Sequence, residues 1–154
     1  MRGLWLGLLM LTAGTAQAAG EAIELRARGV QIYACEQTAS GFQWRFKGPE
    51  AVLMDTAGAE VGRHFAGPSW RAADGSAVVG EVVASSPAPQ PGAIPWLILR
   101  AKSHEGSGAY AAVSHIIRSH TQGGVAPGTP CDQHHAGSEA RVPYEASYLL
   151  FRQP

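Results

Sequence analysis

Apolar and polar residues alternate along most of this chain with a period of two, in short runs that end at turn residues, the pattern of half-buried strands. Ile23-Glu24-Leu25-Arg26 alternates, Gly29 interrupts, and Val30-Gln31-Ile32-Tyr33-Ala34-Cys35 resumes, which predicts one or two strands. Phe42-Gln43-Trp44-Arg45-Phe46 puts three aromatics on one face, with Gly41 before it and Gly48-Pro49 after it read as turns. Ala51-Val52-Leu53-Met54, a polar turn at Asp55-Thr56-Ala57-Gly58, and Glu60 to Phe65 read as strand, turn, strand. Asp74-Gly75 between Ser69-Trp70-Arg71 and Ala77 to Val83 is a tight hairpin signal, because Gly accepts a positive φ without steric cost.

The second half continues in the same style. Ser85-Ser86-Pro87-Ala88-Pro89-Gln90-Pro91-Gly92 is a Pro-rich break, read as a surface loop joining two halves of one core. Trp96-Leu97-Ile98-Leu99 suits a buried strand. The stretch 110–118 also fits a helical period, and its β-branched Val113, Ile116 and Ile117 favour a strand. Thr121 to Cys131 is a Gly/Pro loop that polar residues continue to Ala140, and Tyr144 to Phe151 closes the chain as a strand with Tyr144, Ala146, Tyr148 and Leu150 on one face. The fold class expected is all-β, a single-domain antiparallel sandwich or barrel with long Gly/Pro-rich loops; the 19 Gly and 10 Pro leave little room for long helices.

The N-terminus departs from this pattern. Arg2, the apolar run Leu4 to Leu11 and Ala16-Gln17-Ala18 have the form of a secretory signal peptide over residues 1–18, leaving 19–154 as one domain. No later stretch reaches the roughly 20 apolar residues of a transmembrane helix. The expected location is therefore periplasmic or secreted. Charge is balanced at 12 Lys+Arg against 12 Asp+Glu, so there is no basic surplus for nucleic acid or an anionic membrane. In an oxidising compartment Cys35 and Cys131 favour one disulfide, the alternative being two free thiols.

The densest chemistry lies in His64-Phe65-Ala66-Gly67-Pro68-Ser69-Trp70. The Gly-Pro turn can set His64 and Trp70 on adjacent strands facing one space, a corner able to bind a ligand through imidazole and indole. The competing reading is a buried Trp plugging the end of a barrel, with His64 bonded to a loop carbonyl. Arg118, between two isoleucines and the Thr121-Gln122-Gly123-Gly124 turn, suits either anion binding or bracing of loop carbonyls, with bracing favoured.

Other chemistries find little in the chain. His115 and His120 would face opposite ways on one strand, His134-His135 are neighbours, and no zinc-type spacing occurs among the six histidines, so neither a metal nor another cofactor is expected. Gly106-Ser107-Gly108-Ala109-Tyr110-Ala111 fits a dinucleotide fingerprint but lacks the strand-helix context and the acidic residue that it needs. There is no G-x-S-x-G elbow, and Asp55, Glu60, Asp74 and Glu81 sit where turns and exposed strand faces are expected.

An ordered set of pieces carries a resemblance. Gly29-Val30-Gln31-Ile32-Tyr33 with Cys35, Trp44, Pro49-Glu50-Ala51, His64-Phe65, Gly67-Pro68, Trp70 and Asp74-Gly75-Ser76 are followed by Pro95-Trp96-Leu97, Thr121, Gly123-Gly124, Pro127, Cys131 and Val142-Pro143-Tyr144. Over nearly the whole of 19–154 this resembles an uncharacterised family, the domain of unknown function numbered three-four-five-five. The resemblance implies a secreted or periplasmic single domain in bacteria, with similar proteins in fungi, and brings no activity with it. The function expected is a binding module for a small molecule or glycan, with His64, Trp70, Trp96, Arg118 and Thr121 as the candidate ligand-binding residues. The alternatives are a metal-dependent or acid/base enzyme using His64, and a structural envelope protein.

Overall fold

Eight strands carry the alternation: β1 Ala22–Thr38, β2 Gly41–Met54, β3 Glu60–Phe65, β4 Ser69–Ala72, β5 Ala77–Ser86, β6 Trp96–Glu105, β7 Val113–Gly123 and β8 Glu139–Arg152. The structure, a computed structural model, describes residues 21–153; the expected signal peptide lies outside the described residues. Each strand pairs antiparallel with the next, and β8 returns to pair with β1 from Ala22↔Phe151 to Ala34↔Glu139, so the sheet is a closed up-and-down barrel. Closure gives every strand of the ring a partner on both sides over at least part of its length, which is how a β-rich chain limits edge-to-edge association.

Most inward positions are apolar, and charged residues stand among the outward ones. On β1, Leu25, Ala27, Tyr33 and Cys35 are buried, while Glu24, Arg26 and Arg28 between them are exposed. Outward side chains pair across strands, as in Arg28 with Glu145 at 2.9 Å, Arg71 with Glu105 at 2.8 Å and Arg100 with Glu81 at 2.8 Å. That is the reverse of a barrel that faces lipid, whose outer band is apolar. Among the described residues no helix is long and apolar enough to cross a membrane.

Of the one or two strands expected around Gly29 there is one, and the turn expected at Gly48-Pro49 is strand. Gly29 does not interrupt β1; it lets β2 cross closely, since a Cβ there would lie 2.0 Å from the Glu50 carbonyl oxygen. Gly48-Pro49 does not end the aromatic strand, because β2 runs on to Met54 with Lys47 bulged out between the pairs Tyr33↔Phe46 and Ile32↔Gly48. Pro49 is tolerated because the β3 ladder begins only at Glu50↔Phe65, leaving no ladder on that side to interrupt. The stretch 110–118 enters a strand at Val113, and β7 and β8 each extend into what the sequence suggested was loop.

The lower half of the barrel is solid. Leu25, Leu53, Val78, Leu99, Ile116 and Leu150 fill it. Tyr110, from the β6–β7 connection, plugs that end with 2 % exposure. Asp74 holds the plug in place by accepting from the Ala109 amide at 2.7 Å, and Ser76 Oγ accepts from the Tyr110 amide at 3.1 Å. Burial, with Asp74 adding to it, pushes the Tyr110 phenol up to about 12.

At the other end β1 and β2 run past the ring as a two-stranded extension. The segment after β7 folds over its inner face, where Trp44 Nε1 donates to the Thr129 carbonyl at 2.9 Å and the Cys35 amide to that of Ser138 at 2.9 Å. A Cys35–Cys131 disulfide, with Cα atoms 5.5 Å apart, fastens this cover.

Candidate functional site

The β3–β4 turn, with a cis Gly67-Pro68 bond, brings His64 directly opposite Trp70, both facing into the barrel. Their rings stack with centroids 4.4 Å apart, and Tyr148 stands edge-on to both at 5.2 and 5.5 Å. The indole fits because position 80 is glycine: a Cβ there would lie 3.0 Å from Trp70 Cζ3. His64 Nδ1 is 2.8 Å from the Ser69 carbonyl oxygen. A carbonyl only accepts, so Nδ1 carries the proton and donates, and Nε2 keeps its lone pair. Burial pushes this imidazole down to about 3, far more than the Ser69 hydrogen bond raises it, and the ring is neutral at pH 7.

Above His64 the barrel is open. A cavity of about 400 Å³ occupies this end, walled by Phe46, Pro68, Val82, Ile94 and Leu97. Its polar lining includes Gln31, Tyr33, His64 and Arg118, and among the described residues no Asp or Glu faces it. Gln31 is 2 % exposed and its amide nitrogen has no hydrogen-bond partner. Tyr33 Oη donates to the Gly124 carbonyl at 2.6 Å. The hydroxyls of Tyr144 and Tyr148, both on β8, are buried as well. Burial raises the pKa of all three tyrosines, and the Arg118 guanidinium opposes the rise in each.

The Pro-rich connection forms the rim. Two side chains of β7 hold it: Arg118 donates through Nε and Nη2 to the Pro95 carbonyl at 2.9 and 2.8 Å, and Thr121 Oγ1 donates to the Ile94 carbonyl at 2.6 Å. Arg118 is therefore a brace, on the Pro-rich loop and not on the Thr121–Gly124 turn beside it. It forms no ion pair among the described residues, whereas Lys47, which also lines the cavity, reaches Glu36.

Of the residues expected from the sequence, His64 and Arg118 share this cavity. Trp70 lies directly behind His64 and is 1 % exposed, so its indole faces no open space. Thr121 is buried behind the rim. Trp96 points outward, since Leu97 and Leu99 take the inward positions of β6, and its ring lies 5.5 Å from that of His120. Sequence reasoning passed over Gln31, Tyr33, Tyr144 and Tyr148. The available signal was Gln31, a polar residue in step with the inward Leu25, Ala27 and Tyr33 of its strand.

Several of the other histidines and carboxylates hold the framework. His135 Nδ1 lies 2.7 Å from Asp132 Oδ1, and Asp132 also caps the short 3₁₀ turn Gln133–His135. Asp55 accepts from the Ala57 and Ala59 amides, Asp74 from Ser76 and Ala109, Glu60 pairs with Arg63 and Glu81 with Arg100. Among the described residues no three His, Cys, Asp or Glu side chains come together closely enough to hold a metal ion.

No curated protein and no solved structure matches the chain. A family model does, over residues 16–152. With nearly its whole length covered, the chain belongs to the family described as "Protein of unknown function (DUF3455)".

Proposed function

We propose that this protein is a binding module that takes a small organic molecule into the open end of its barrel. The observation that carries this reading is the cavity of about 400 Å³, apolar on its walls with a few converging polar groups. Closed eight-stranded barrels leave just enough interior for side chains or one small ligand, and here the lower half is filled and the upper half is open. The apolar walls favour a molecule with an apolar body over a glycan, whose many hydroxyls need polar partners on every side. We place this work in an oxidising compartment outside the cytoplasm, which suits the disulfide and the expected signal peptide.

Chemistry on the ligand is less well supported. General acid or base catalysis needs a group that titrates near the working pH within reach of the substrate. His64 is neutral at pH 7, its partner is a backbone carbonyl and not a carboxylate, and no Asp or Glu stands in the cavity to orient or recharge it.

A titration with Nile red, an uncharged apolar dye, tests the reading. Saturable binding at one site is expected, with a change in tryptophan emission because Trp70 stacks on the histidine at the cavity floor. Val82→Trp, at a mouth position that is 47 % exposed, should weaken the dye at least tenfold and leave the melting temperature within about 2 °C, as expected of a surface change worth less than about 0.5 kcal/mol. Dye binding that is absent, or unaltered in Val82→Trp, would remove the cavity as the site.

A further inference from the structure

Resting on the cavity reading above, we infer that the ligand is a monoanionic amphiphile, a monocarboxylate whose oxygens are received by the guanidinium of Arg118 while its apolar body lies along Phe46, Pro68, Val82 and Leu97. The charge balance of the cavity points this way first. It contains one guanidinium with no carboxylate facing it, and its other basic group, Lys47, is drawn to Glu36. A cationic ligand would meet Arg118 with nothing in the lining to offset the repulsion, and a neutral one would gain nothing from the charge.

The geometry of Arg118 points the same way. Two of its five N–H donors are held by the Pro95 carbonyl at 2.9 and 2.8 Å, which fixes the plane of the group. Among the described residues no carboxylate and no further carbonyl takes its other donors, and the Tyr148 hydroxyl stands against the group. A fixed planar fork suits the two oxygens of a carboxylate better than a point charge does. Gln31, buried to 2 % exposure on the same lining, contributes a side-chain amide whose nitrogen has no partner.

The neutral state of His64 limits the charge to one. With burial holding the imidazole unprotonated, the second cation of the lining is Lys47, which is already paired with Glu36, and Nε2 offers only a lone pair. Size sets the body: about 400 Å³ is near the small end of ligand sites, roughly 300–1,000 Å³, and suits about ten to fifteen non-hydrogen atoms.

Decanoate, decan-1-ol and decanedioate, titrated calorimetrically against the purified protein at pH 7.5, share one chain length and differ in charge. Decanoate is expected to bind at least tenfold more tightly than either of the others. In Arg118→Gln the preference over the alcohol should fall below threefold, and in Arg118→Lys it should be partly kept. Loss of the Pro95 brace weakens acid and alcohol alike, so the preference within each variant isolates the charge. If Arg118→Gln does not fold, Gln31→Met, expected to lower the acid preference severalfold, and the wild-type comparison decide. Equal affinity for acid and alcohol, tighter binding of the dianion, or binding of Nile red without decanoate would each overturn the inference and leave the cavity reading standing. Failure of Nile red together with all three chains would overturn both.

Discussion

His64 sits between a carbonyl that fixes its proton on Nδ1 and an indole stacked on its face, and this setting makes its charge a property of the fold. In the unfolded chain the same imidazole titrates near its ordinary 6.5; in the native barrel burial lowers it to about 3. Between those values the unfolded state binds a proton that the native state refuses. Stability is therefore level above about pH 6.5 and falls as the pH drops, by about 1.4 kcal/mol per unit. Urea denaturation should give about 2 kcal/mol less stability at pH 5 than at pH 7. His64→Asn, which can still donate to Ser69, should remove most of that difference. Asp74 and Asp132, held low mainly by hydrogen bonds from Ser76 and His135 respectively, stabilise the fold when ionised, and that contribution is lost only below the unfolded carboxylate range, near pH 4. At this scale the sequence was informative about identity and silent about direction. It singled out His64 and Arg118 by their neighbours. For Trp70 it offered a ligand-facing and a buried reading and leaned to the buried one, which the 1 % exposure matches; that the indole fits depends on Gly80, ten positions away on another strand.

Among the elements, alternation was legible wherever a strand has one wet and one dry face. It failed at Gly48-Pro49, where the local chemistry is that of a turn and the deciding fact is that β3 starts to pair only one residue later. At Gly29 it left one strand or two open, because that glycine serves the passage of another backbone. Gly29→Ala would drive a methyl group into the Glu50 carbonyl and the Ala51 backbone, and overpacking against atoms that cannot rotate away should cost about 3 kcal/mol. Gly128→Ala, which meets nothing within 4 Å, should change stability by less than about 0.5 kcal/mol. Thermal unfolding of the pair checks the contrast. The Pro-rich connection was legible as a loop but not as the rim of a site, because the side chains that clamp it, Arg118 and Thr121, come from a strand more than twenty residues further on.

For the whole molecule, the all-β class followed from alternation and composition and the pairing of Cys35 with Cys131 from the expected compartment, whereas convergence of Gln31, Tyr33, His64 and Arg118 on one cavity required the ring to close. The disulfide spans 96 residues, and in the chain-entropy view a loop of that length stabilises the fold by about 4–5 kcal/mol. Cys35→Ala/Cys131→Ala should lose an increment of that size in urea, with reduction of the native protein giving a similar loss. The bond fastens the cover over the β1–β2 extension, so the lower core around Tyr110 should keep its amide protection from hydrogen exchange longest once the bond is gone. The antiparallel closure of β8 on β1, with Ala22 facing Phe151, makes strand order cyclic. Every strand already lies beside its sequence neighbours, so which one comes first is an accident of where the chain is cut. A circular permutant that joins the two ends by a short linker and opens the exposed turn at Gly58 retains all eight pairings, and with them the same cavity.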